Sequence, residues 1–176
     1  MRLLYSALAL IASCGLAHAQ GAGMALDAAQ GNWATLHHTT DGGVGTDVCL
    51  AASVDAQVGL RVDENDIEVR FSDPKWSLPS DTKGDVTISA GSYSHLFHTA
   101  SLNPTMLVGE LTSDEAKSLL TALETAPVAK ITFGAKTSKT ISLSGSTKVL
   151  SDFQGCARQA GLADLGSPAG PANSPF

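Results

Sequence analysis

The sequence predicts an α+β domain, strand-dominated and antiparallel, folded as a sandwich or a partly closed barrel with two amphipathic helices and one disulfide. Three observations carry this. Short alternating segments, such as Val58, Leu60, Val62 and then Ile67, Val69, Phe71, follow one another with turn residues between them. Adjacent strands joined by short turns favour antiparallel sheets. Two later stretches, 112–126 and 146–160, carry helical periodicity, and an amphipathic helix must cover a sheet face or end. Third, Cys49 and Cys156 are the cysteines that remain once the N-terminal segment is set aside.

That segment, residues 1–19, has the build of a secretory signal peptide. Arg2 supplies the positive start, Leu3–Ala12 the apolar run, and Ala17-His18-Ala19 a small-x-small cleavage site before Gln20. The apolar run is too short to span a bilayer as a mature helix, and no other stretch is long enough. Ile11-Ala12-Ser13-Cys14 has the residue types of a lipoprotein box. It would make Cys14 a lipid anchor, but Cys14 lies early for that, and cleavage after Ala19 is the better match. Either way Cys49 and Cys156 remain as an even pair in an oxidising compartment, where a disulfide is expected. Two buried free thiols are the alternative. A bridge closing a loop of about 100 residues contributes roughly 4–5 kcal/mol in the chain-entropy model.

The net charge of −6 is spread along the chain. It argues against nucleic acid and anionic lipid as partners. Only 5% of residues are aromatic, so the core must rest on Leu, Val, Ile and Ala. The length fits one globular domain, 32–163. A flexible lead-in, 20–31, precedes it, and a Gly/Pro/Ser/Ala-rich tail, 164–176, is expected to be disordered.

Within the domain, Asn32–Thr39 reads as a first strand anchored by Trp33, and Thr40–Thr46 as a turn. Asp47–Val54 is apolar or small on both faces, which suits a buried strand. Gln57–Val62 and Ile67–Phe71 form a hairpin around Asp63–Asp66. Strands follow at Asp85–Ala90 and Thr105–Leu111, and the link Gly91–Pro104 has room for another at Tyr93–Thr99. Thr112-Ser113-Asp114-Glu115 is a capping box that opens the first helix. Ala116, Leu119, Leu120 and Leu123 form its apolar stripe, and Pro127 stops it. Lys130–Phe133 and Thr140–Leu143 form a hairpin. Ser146 is the expected N-cap of the second helix. Val149, Phe153, Cys156 and Ala160 share one predicted buried face of that helix. Gly155 is placed for close approach of a strand, and Gly161 to end the helix.

The candidate chemistry is sparse. In a strand, the adjacent His37 and His38 point to opposite faces, so only one could join a metal site. His95 and His98, three apart, suit a loop or helical turn. No cysteine is left to complete a zinc set, and neither a metal nor a cofactor is expected. Ser144-Gly145-Ser146 lacks the Gly-x-Ser-x-Gly spacing of a nucleophile elbow. Asp63–Asp66 is too short for a calcium loop. No glycine pattern for dinucleotide or phosphate is present, and no catalytic residue is assigned. Trp76, between Pro74 and Pro79, is read as a core plug with partner contact as the alternative. Trp76, His95 and His98 are the residues nominated for partner binding.

Taken together, the layout resembles the family of exported alphaproteobacterial proteins named for invasion-associated locus B. The shared points are a signal peptide, a tryptophan-led strand (Asn32-Trp33) and a cysteine strand (Val48-Cys49-Leu50). A hairpin leading to Leu78-Pro79, the strand Lys130–Phe133 after a helix, and a Ser142–Gly145 turn into a Leu/Phe helix complete it. That family carries additional cysteines in mid-domain, and none lies between Leu50 and Gly155 here. A more distant exported relative fits the same residues. The resemblance implies a small non-enzymatic periplasmic or secreted protein, with host interaction associated with some members only. The expected function is binding of another envelope or host protein, or envelope maintenance. A periplasmic inhibitor or ligand-binding module is the alternative, and an enzyme with an unrecognised site is third.

Overall fold

Alternation along the chain is realised as strands that join edge to edge in one sheet. The computed structural model describes residues 23–40, 45–53, 57–135 and 137–166. The segment expected to be a signal peptide, Cys14 within it, and residues 167–176 lie outside the described residues. The strands are β1 (Gly23–Gln30), β2 (Trp33–Thr39), β3 (Thr46–Ser53), β4 (Val58–Asp63), β5 (Ile67–Ser72), β6 (Lys83–Ala90), β7 (Tyr93–Asn103), β8 (Met106–Glu110), β9 (Val128–Phe133) and β10 (Thr137–Ser142). The helices are α1 (Ser113–Thr125) and α2 (Ser146–Gln159). The sheet order is β1-β2-β3-β4-β5-β8-β7-β6-β9-β10, and every neighbouring pair whose register is defined is antiparallel. The sheet curls into a half-barrel, so of the two predicted architectures the partly closed barrel is the one formed.

The curl has a buried concave side. Cys49, Ala51, Leu60, Val62, Val69, Phe71, Ile88 and Ile131 point into it and are almost fully buried. The helices cover this side, with α2 packed across β1, β2 and β3 and against α1. Burying this aliphatic set is the main favourable term, at about 25 cal/mol per Å² of apolar surface removed from water. No helix among the described residues is long and apolar enough to cross a membrane.

Local signals explain much of this. The α1 capping box forms as expected: the Glu115 amide donates to Thr112 Oγ1 at 3.3 Å, and the Thr112 amide donates to Glu115 Oε2 at 2.8 Å. Gly161, with φ 70°, ends α2 in a Schellman motif. The Leu162 amide donates to the Ala157 carbonyl at 2.9 Å and the Gly161 amide to Arg158 at 3.2 Å.

Five expectations are corrected. Gly23–Gln30, placed in a mobile lead-in, is the edge strand β1, paired with β2 along its length. Its Ala-rich sequence has little strand preference of its own, and the pairing partner supplies the structure. Ser146 is not the cap of α2. Gly145, in the left-handed conformation, holds that position without a side-chain bond, and the buried Ser146 hydroxyl instead donates to the Leu123 carbonyl at 2.6 Å. The buried face of α2 is Val149, Leu150, Phe153, Gln154 and Ala157, with Cys156 and Ala160 only half-buried at its margin. Gly155 meets no neighbouring strand, since a Cβ there would enter open space. Finally, Leu165, assigned to the disordered tail, is fully buried, and Asp164 lies 3.4 Å from Lys117.

Four contacts fix α2 to the sheet and draw the sheet's ends together. Cys49 and Cys156 are bridged, with Cα atoms 6.1 Å apart and 107 residues between them in sequence. The Thr35 hydroxyl of β2 donates to the Val149 carbonyl at 2.6 Å. The fully buried Trp33 sends its indole N–H to the Ser142 carbonyl of β10, the opposite end of the sheet, at 3.2 Å. At the same place the β1–β2 and β10–α2 turns interlock. Gly31 and Gly145 have φ of 58° and 88°, and a Cβ on either would overlap a carbonyl of the other turn.

The glycines make a contrast that unfolding experiments can read. Gly31→Ala and Gly145→Ala should each destabilise by about 2 kcal/mol or more, from positive φ and the clash together. Gly155→Ala, inside a helix with free space, should stabilise by up to about 1 kcal/mol. Equal effects at the three sites in urea titrations would contradict the interlocked turns.

Candidate functional site

Strand alternation divides the two adjacent histidines as expected. Trp33, Thr35 and His37 face the concave side, and His38 faces out. His38 Nδ1 lies 2.6 Å from Asp47 Oδ1 on the neighbouring strand. His37 Nδ1 lies 2.6 Å from Asp27 Oδ1. Asp27 is the extra residue where the β1–β2 register shifts, between Leu26 and Ala28. Such bulges re-aim a side chain, and here the carboxylate reaches the imidazole. With Nδ1 donating to Asp27, Nε2 is the nitrogen left for other partners.

His37 and Asp27 line one wall of a groove of about 720 Å³. The other wall is the flank of α2, through Lys148, Ser151, Asp152, Gly155 and Gln159. Their spacing of three and four residues puts them on one helical face. Lys148 Nζ lies 2.7 Å from Asp152 Oδ2. Cys156 completes this wall, so the bridge that fixes α2 also fixes the groove's width. The lining is polar and its charges are paired. It offers imidazole, hydroxyl and amide groups, which suit hydrogen-bonding polar ligands better than a single strong charge. Among the described residues no three His, Cys, Asp or Glu side chains gather to hold a metal ion.

A second feature lies beside the groove. No described strand pairs with the outer edge of β1. On the convex side β1 presents Met24 and Leu26, which are 50% and 63% exposed. Leu26, Leu36 and Leu50 stand opposite one another across β1, β2 and β3, forming an apolar row.

The nominated residues fall elsewhere. Trp76 is half-buried, edge-to-face on Phe133 at 5.1 Å, with Lys139 Nζ 6.0 Å over its ring. Lys139 also pairs with Asp73 at 2.5 Å. That bond holds the Asp73 carboxyl below its usual range. Trp76 therefore packs on the aromatic cluster of Phe71 and Phe133 as a plug. The link Gly91–Pro104 is mostly the strand β7, not a loop or helical turn, so His95 and His98 project from opposite faces. His95 stacks on Tyr93 at 6.3 Å, tilts against Phe97 at 4.6 Å, and has Nε2 3.6 Å from Glu115 Oε1. His98 is exposed and lies 2.8 Å from Asp85. Both border a shallow cleft of about 380 Å³ that does not include Trp76.

From the sequence, His37 reads as a surface histidine or at most a metal ligand, and Asp27 as part of a mobile lead-in. The polar spacing along α2 was a legible signal of a groove wall. Nothing local marks Asp27, whose partner is set by the bulge.

Comparison with protein-family models, with curated proteins and with solved structures returned no match.

Tyr93 gives a direct check of the interior next to His95. Its hydroxyl is buried and has no hydrogen-bond partner among the described residues. Burial, and then the charge of Glu115, push its pKa up to about 12 from 10.0. The only other tyrosine is Tyr5, so in a chain starting at Gln20 phenolate absorbance reports Tyr93 alone. Half-ionisation near the raised value is expected while the protein stays folded. Ionisation at the ordinary value in folded protein would contradict the burial.

Proposed function

We propose that this is an exported, non-catalytic protein, periplasmic or secreted, that works by binding another envelope or host protein. The open edge of β1, with Met24 and Leu26 exposed beside it, carries this reading. Edge strands are usually blunted by lysine, proline or a cover, because they template pairing with other chains. β1 has neither Lys nor Pro, and its one charge, Asp27, is engaged with His37. The Cys49–Cys156 bridge agrees with an oxidising destination, and the resemblance to the invasion-associated locus B family belongs to the same reading.

The groove favours a second reading, a ligand-binding module or an enzyme. His37 hydrogen-bonded to Asp27, in a groove that Ser151 also lines, has the residue types of a base oriented by a carboxylate near a hydroxyl. Ser151 makes no hydrogen bond to His37 among those described, and binding is therefore the better-supported use of the groove.

Affinity capture from envelope extract tests the first reading. The processed chain should retain a partner saturably, and Met24→Lys/Leu26→Lys should lose it while keeping the wild-type melting temperature. Equal capture by the double variant, or no saturable partner, would overturn it.

A further inference from the structure

The edge of β1 and the groove beneath it are two sides of one strand position. A strand laid against β1 would direct alternate side chains to opposite faces of the sheet. On the convex side they would meet Met24 and Leu26, which are half or more exposed. On the concave side, β1 places the small Ala25 opposite His37 and Ala28 opposite Thr35, with Gln30 opposite Trp33 and Asp27 bonded to His37 at the bulge. Of β1, Asp27 alone lines the groove in front of α2. There the incoming side chains would meet the groove lined by His37, Lys148, Ser151 and Gln159.

The geometry points to strand addition: β1 takes an extended segment of a partner protein whose residues alternate between apolar and short polar. The apolar ones continue the row Leu50, Leu36, Leu26. The polar ones, of hydroxyl or amide type, enter the groove. Main-chain hydrogen bonds to the open edge supply affinity, and the two surfaces supply specificity by alternation. A second copy of this chain fits less well, because its own β1 would offer the groove Ala25, Ala28 and the already engaged Asp27. This proposal rests on the protein-binding reading and names the form that the partner presents.

The test is selection of random dodecapeptides displayed on phage against the processed chain. Enriched sequences should alternate apolar with Ser, Thr, Asn or Gln. In synthetic versions, N-methylation of every second amide, those facing β1, should weaken binding by roughly tenfold per position, and methylation of the intervening amides should not. Lys148→Ala should change the polar positions selected and leave the apolar ones. Absence of enrichment, enrichment without alternation, or indifference to N-methylation would overturn strand addition. So would a wild-type dimer in sedimentation that Met24→Lys/Leu26→Lys dissolves, which would make a second copy the occupant. Enrichment only after removal of residues 167–176 would assign the edge to the chain's own tail. Capture of a partner from extract with no peptide enriched would leave protein binding standing and remove only this mode.

Discussion

The structure depends on how α2 is held across the mouth of a curled sheet. An open antiparallel sheet has two edges and a concave face, and the concave face must be covered for the aliphatic core to form. Here α2 does part of that covering, and Cys156 ties it to Cys49 in β3. Cys49 is fully buried while Cys156 sits at the margin of the helix, so the bridge spans the boundary between core and groove. Thr35 on Val149 and Trp33 on Ser142 act at neighbouring points. Together they join β2, β3, β10 and α2, elements far apart in sequence. In the chain-entropy model a bridge over so long a loop contributes roughly 4–5 kcal/mol, comparable with the net stability of many domains.

The same tie sets the groove and the edge to which the proposed function is assigned. The groove exists because α2 crosses β1–β3 with one polar flank left uncovered. Its width depends on a helix that is anchored near its start by Ser146 and Thr35 and near its end by Cys156. The bulge at Asp27 orients His37 into the groove and also bends the strand that forms the open edge. Stability and the proposed recognition thus share residues at this end of the barrel. The opposite end is closed by the Trp76–Phe133 contact and the Lys139–Asp73 pair.

The fold was largely legible because its signals are local. Alternation in Val58–Val62, Ile67–Phe71 and Asp85–Ala90 marks buried strands, and the Thr112–Glu115 box marks a helix start. Cysteine arithmetic gave the bridge. The strand order was not legible, since β5 pairs with β8 and β6 with β9, and nothing in a single sequence encodes which edges meet. β1 was missed because its residues acquire a strand conformation only from β2. Ser146 was misread because a hydroxyl at a helix start serves equally well as a cap or as a tie to another helix. The groove was the least legible part. Its two walls come from residues 27–46 and 148–160, and only tertiary contacts, the bridge and the Thr35–Val149 hydrogen bond among them, bring them together.

Native-state hydrogen exchange with and without reductant probes the tie most directly. If the bridge holds α2 across the sheet, reduction should remove amide protection first in α2 and in β1–β3, while β5, β7 and β8 keep theirs. Protection that falls uniformly over all strands, or does not change in α2, would contradict the account.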